Sequence, residues 1–160
     1  MSGDVNNIMA QLAVIEREIF DPVRNVSVIA YENIPYTIAS ADMPLFVNFV
    51  GNLSQSVVAG SDDQARDFND TRNFVLTLYH SPYASGVEGE KMGLLTPYFP
   101  LVYNKFGSYP HLKMLGGILD AKLIGDSGMT VVTFAGNQYF GVKFTLQVIS
   151  KVRRLLGDYE

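Results

Sequence analysis

Between Gln138 and Ile149 the chain alternates with a period of two. Phe140, Val142, Phe144, Leu146 and Val148 fall on one side, and Tyr139, Gly141, Lys143, Thr145 and Gln147 on the other. Successive side chains of a strand point to opposite faces, so this pattern demands an extended strand with one face in a core. A helix would scatter the same residues around its circumference. The chain must therefore build a sheet and cover one face of it with apolar surface. The other face goes to water or to a partner.

Two segments have the spacing to provide the cover. Val5, Ile8, Met9, Leu12, Ile15 and Ile19 recur at helical intervals behind Asp4, a suitable N-cap, with Asp21-Pro22 as the expected stop. Lys91 to Phe106 carries Met92, Leu94, Leu95, Tyr98, Phe99, Leu101, Val102 and Phe106. Pro97 and Pro100 sit inside that run, and proline belongs in a first turn rather than an interior. The spacing predicts a kink or two short segments, the better one beginning near Thr96.

The remaining strands are expected at 26–31, 45–50, 71–80, 118–124 and 129–134, each rich in β-branched or alternating apolar residues. Ala135-Gly136-Asn137 supplies a tight hairpin turn before the last strand. The order reads α-β-β-β-α-β-β-β. It predicts an α+β fold, a mainly antiparallel sheet with two helices packed on one face, in a single domain over 1–160. Two stretches fit neither period. Gly51 to Asp70 is polar and charged, with room for a short strand at 55–59, and Ser81 to Glu90 holds Pro82, Gly86 and Gly89. Both are expected to be long loops, which are commonly functional. The basic cluster Lys151-Val152-Arg153-Arg154 reads as a solvated helical end or a tail from about residue 151.

Composition removes several kinds of chemistry. At 48% hydrophobic and 18% charged, the chain has too much apolar surface for disorder. It has no cysteine, which excludes disulfides, thiolate metal sites and cysteine nucleophiles. The start of the chain lacks the basic and apolar regions of a secretory signal, and no apolar run approaches the roughly 18 residues that span a bilayer. The three Asn-x-Ser/Thr matches therefore carry no weight. A net charge of −4 argues against tight nucleic-acid binding.

Gly125-Asp126-Ser127-Gly128 matches the nucleophile segment of chymotrypsin-like serine proteases, which also require an upstream His and Asp. Here it continues Met129-Thr130 where that pattern has Gly-Pro, and the two-barrel protease fold needs a longer chain. The plainer reading is a turn joining two strands. His80 and His111, the only histidines, read as surface or capping residues. Asp62, Asp63, Asp67 and Asp70 lack the central Gly and twelfth-position Glu of a calcium loop. No phosphate-binding glycine motif is present, and no cofactor or metal is expected.

Two groups of segments carry a resemblance. One is the first helix with Val28-Ile29-Ala30-Tyr31-Glu32-Asn33-Ile34-Pro35 and Ala41-Asp42-Met43-Pro44-Leu45-Phe46-Val47. The other runs from Asp120 through Gly125-Asp126-Ser127-Gly128 and on from Val131 to Val148. Together they resemble the tail-completion, or tail-terminator, proteins of long-tailed bacteriophages, over most of the chain. Neighbouring neck and minor tail proteins fit the same pattern. The resemblance implies a small α+β virion subunit, made in the host cytoplasm. It assembles as a ring, commonly six-fold, at the head-proximal end of the tail tube. Such a ring stops tube growth, docks the head-completion or neck protein, and lets DNA pass through its lumen without specific binding. No catalytic residues carry over.

On that reading the expected contacts with neighbouring subunits or the tube are Asp62, Asp63, Arg66, Asp67, Phe68, Tyr83, Glu88 and Glu90 in the two irregular stretches, and Lys151, Arg153 and Arg154 in the basic cluster. Phosphates bind basic linings, so the acids of these stretches, Asp62, Asp63, Asp67, Glu88 and Glu90 among them, are expected to include some that line or flank the channel, with the basic cluster away from it at a protein contact. Two other readings stand beside this one: a small hydrolase using Ser127, and a ligand-binding module with its pocket between sheet and helices.

Overall fold

The computed structural model describes residues 4–58 and 65–155. Helix α1 spans Val5–Glu16, capped by Asp4, whose carboxylate accepts the Asn6 amide at 2.6 Å. It ends before Asp21 because the chain tightens, with the amides of Glu18 and Ile19 donating to the carbonyls of Ile15 and Glu16. That turn keeps Ile19 in the core and brings Phe20 into a bridge with Ser27. Asp21 organises the next turn rather than the helix end. It accepts the Val23 and Arg24 amides and the Arg24 guanidinium.

Six strands follow: β1 (Ile29–Tyr31), β2 (Leu45–Val57), β3 (Ala65–Pro82), β4 (Ile118–Asp126), β5 (Thr130–Phe134) and β6 (Asn137–Leu155). Helices α2 (Glu88–Leu95) and α3 (Tyr98–Gly107) lie between β3 and β4. They form one unit bent at Thr96-Pro97, where proline cannot continue the first helix and is tolerated at the start of the second. The sheet order is β1-β2-β3-β6-β4, with β5 also on β6. Only β1 and β2 are parallel. The fold is α+β, with a mainly antiparallel sheet and the helices on one face.

Three expectations from the sequence are corrected. Most of the supposed loop at 51–70 belongs to strands: Leu53 to Val57 pair with Arg72 to Phe68. The stretch 81–90 is shorter than expected, since β3 runs to Pro82 and α2 starts at Glu88. The basic cluster is neither helical end nor tail but the continuation of β6, with Lys151, Arg153 and Arg154 opposite Asn69, Asp67 and Arg66. The reason is common to all three. These segments are held by backbone hydrogen bonds, and hydrophobic alternation reports only burial.

The main core lies between the sheet and the helices. Ile8, Leu12 and Ile15 of α1, Leu95, and Val102 and Phe106 of α3 pack on Phe74, Leu76 and Leu78 of β3 and on Phe140, Val142, Phe144, Leu146 and Val148 of β6. The face read from the alternation is therefore the helix-covered one. The other face is not wholly left to water. Tyr139 meets Tyr79 edge-on at 5.6 Å in a second cluster with Met43, Leu45, Val47, Val132 and Phe134. The chain between β1 and β2 covers this end, through Ile38 and Met43.

Phe144 is fully buried, with the rings of Phe99 and Tyr103 at 5.8 and 5.9 Å. Phe144→Ala is expected to cost about 3–5 kcal/mol, seen as a lower denaturation midpoint at unchanged slope.

Candidate functional site

Beyond the helices, β2, β3 and β6 continue together as an arm, flanked by β4 only as far as Ile118 opposite Ser150. Along it the residues lie in cross-strand rows: Gln55, Asp70 and Ser150; Ser56, Asn69 and Lys151; Val57, Phe68 and Val152. The Gln55 amide donates to Asp70 at 2.6 Å, and the Arg72 guanidinium donates to the Gly51 carbonyl at 3.1 Å. Leu53 to Val57 are exposed on an otherwise polar strand. The arm thus carries little buried apolar surface and owes its form to its two backbone ladders.

The arm gathers most of the expected contact residues. Asp67 pairs with Arg153 across the ladder at 3.8 Å, Phe68 lies opposite Val152, and Arg66 opposite Arg154. Lys151 is exposed opposite Asn69. A surface pair such as Asp67–Arg153 contributes under about 1 kcal/mol, so its interest is positional. It places Asp67 beside the basic cluster rather than apart from it. Tyr83, Glu88 and Glu90 are not part of this group. They lie past the far end of β3, after about 55 Å of strand. There Tyr83 packs on Phe140 at 5.2 Å and Glu88 accepts the Gly86 amide. Asp62 and Asp63 lie outside the described residues.

The Gly125-Asp126-Ser127-Gly128 segment has a different job from the expected turn. β4 and β5 both pair with the same edge of β6, Asp126 opposite Phe144 and Thr130 opposite Gly141, so the chain runs on without reversing. The segment is a break in one long edge. The Ser127 amide donates to the Lys143 carbonyl at 2.9 Å, and its hydroxyl accepts the Lys143 amide at 3.0 Å while donating to the Gly128 carbonyl at 2.7 Å. The side chain stands in for the carbonyl that the break withdraws from the ladder. Asp126 accepts the Gly128 amide and the Tyr103 hydroxyl, tying α3 to this edge, and Gly128 takes the left-handed conformation that closes the bulge.

His80 contacts the Ser81 hydroxyl and the Tyr98 ring, and burial lowers its pKa. His111 is exposed beside Met114 at a depression of about 340 Å³. A second depression, of about 240 Å³, opens on the helix-free face between Phe49 and Lys143. The space between sheet and helices, where a ligand pocket was considered, is filled by the main core. Among the described residues no group of three or more His, Asp or Glu is placed to hold a metal, and no helix is long and apolar enough to cross a membrane.

A shifted carboxyl commonly marks a functional site, and Glu16 has the largest shift among the acids. It is sealed between α1 and β2, where its Oε1 accepts the Asn48 amide at 2.7 Å. Burial pushes its pKa up to about 8, against the lowering effects of that bond and of Arg17. A protonated Glu16 also explains two otherwise orphaned atoms, Glu16 Oε2 and Asn48 Oδ1, since an acid and an amide can exchange two hydrogen bonds. With no access to a reactant, it is a structural acid.

Two predictions follow from these sites. The folded state keeps a proton on Glu16 that the unfolded chain loses near 4.5, so this contribution to stability is complete below that pH and is lost as pH rises towards 8. Glu16→Gln keeps both bonds without a proton to lose. The stability difference between wild type and variant should therefore shift in the variant's favour between those limits, as read by urea titration. Ser127→Ala should cost about 1 kcal/mol through the lost Lys143 contact, and a fluorophosphonate probe should label neither protein.

No protein-family profile matches the chain, and no curated protein does.

Proposed function

We propose that this protein is a structural subunit of a phage virion. It forms a ring at the head-proximal end of a long tail, caps the tail tube and joins it to the head or neck. Its partners are copies of itself, the tube protein and a head-completion or neck protein, and DNA passes through the ring without specific binding. The resemblance of the first helix, the first two strands and the last three strands to tail-completion proteins motivates the reading. The observation that carries it is the arm. Three long strands extend beyond the helices, and their row of charged and apolar residues at Arg66–Phe68 and Lys151–Arg154 comes from chain segments distant in sequence. A surface built this way serves contact with another protein better than it serves chemistry. Ser127, the one nucleophile the sequence suggested, is committed to its own backbone.

Assembly tests the reading. Particles made without this protein should carry tails of uncontrolled length that fail to join heads, and purified protein added to growing tubes should stop their growth, both seen by electron microscopy. Tails of normal length joined to heads in its absence would refute the role.

A further inference from the structure

Among the described residues the sheet has two edges without a strand partner, and they lie at the same height. β1 pairs only with Leu45–Val47, so no described residue pairs with the outer side of β2 from Asn48 onward. Across the sheet, Asn48 is level with Leu76, Phe144 and then Asp126, and Gln55 is level with Asp70, Ser150 and then Ile118. The open part of β2 therefore faces outward at the height that β4 occupies on the opposite edge. Lower down both edges change together: Leu45, beside β1, is level with Tyr79, Gly141 and Thr130 of β5.

Direction agrees with height. β2 to β3, β3 to β6 and β6 to β4 are each antiparallel steps, so β2 and β4 run oppositely. A second copy placed beside the first would bring its β4 against β2 as an antiparallel pair, continuing the alternation. The side chains of β2 agree as well, while β4 mixes the charges of Asp120, Lys122 and Asp126 with exposed apolar residues. β2 from Asn48 to Val57 contains no charge and no proline, the usual guards of an exposed edge. It exposes Val50 and Leu53, while β4 exposes Leu119 and Ile124, both at irregularities where no β6 residue opposes them.

We infer that the outer edge of β2 pairs with the outer edge of β4 of a second copy of this chain, joining subunits head to tail through one continuous sheet. The inference deepens the ring reading and rests on it for closure. Two different edges make a heterologous contact, which repeats from copy to copy and closes into a ring when the rotation per step allows.

The absence of cysteine gives a clean test. Val50 is level with Leu123, next to the exposed Ile124. A protein carrying both Val50→Cys and Ile124→Cys, treated with a short bis-maleimide over rising concentration, should give a ladder of covalent multimers. Each single variant should give none. Leu53→Lys and Ile124→Lys should each reduce the mass measured by light scattering at least several-fold, with far-ultraviolet circular dichroism unchanged. Mixed together, those two should pair through their intact edges into dimers that do not extend. Cross-linked dimers from Val50→Cys alone would mean that β2 meets β2, and would overturn the inference. So would multimers that ignore both lysine variants, although the ring reading would survive that result. A monomer at every concentration without cross-links would overturn the edge contact, leaving the ring reading to the tail-assembly experiment. Edge cross-links in a protein without effect on tails would sink the ring reading alone.

Discussion

Every other part of the molecule takes its position from the ladder between β3 and β6, which runs from Ala65 opposite Leu155 to Pro82 opposite Tyr139. Because the register of a strand pair decides which side chains share a face, this ladder lines Phe74, Leu76 and Leu78 up with Leu146, Phe144 and Val142 under the helices. A slip by one residue would turn that set outward. The same register carries on past the helices and builds the arm, where it brings Asp67 to Arg153 and Phe68 to Val152. Core and arm are thus two lengths of one pair of strands, differing in whether a helix lies above them.

Helix placement adds a second, polar constraint. Glu16 and Asn48 form a fully buried side-chain hydrogen bond that joins α1 to β2 across the core. Such a bond contributes little net stability compared with apolar packing, but it penalises any other docking of α1, which would leave a buried acid or amide unpaired. Around the rim, Glu18 accepts from Tyr109 and Lys113, and Gln11 donates to the Leu112 carbonyl, so α1 also holds the chain leading from α3 to β4. These contacts place the β4 edge relative to the helices.

The β4–β5 edge stays on β6 across its break because of four residues. In Gly125-Asp126-Ser127-Gly128 the carboxylate and hydroxyl satisfy the amides of Gly128 and Lys143, so the chain can skip a step without leaving the sheet. The result is a long edge on the far side of β6 from β3, matching the long β2 edge in height and opposite to it in direction. In a subunit that assembles, such matched edges are a surface feature as definite as a pocket is in an enzyme.

The sequence alone determined the parts of the fold whose signal is burial. The alternation from Phe140 to Val148, the helical spacing from Val5 to Ile15, and the prolines that divide the second helix all stand in the structure, because each reflects which side chains leave water. It also determined what chemistry was out of reach without cysteine. Tertiary structure decided the rest. Leu53 to Val57 have the composition of a loop, and the cluster from Lys151 that of a helical end or a tail. Leu53 to Val57 are exposed and the cluster carries few apolar residues, so no alternation betrays them, and the ladder between β3 and β6 depends on partners more than 70 residues apart. The alternation gives Tyr139 to water or a partner, yet it is buried in a second cluster with Tyr79, Val132 and Phe134 to which the segment between β1 and β2 contributes Met43. Only folding could bring Asp67 beside Arg153 and set Glu88 at the other end of β3. Hydrophobic pattern is local to a segment; strand pairing and the surfaces it builds belong to the whole chain.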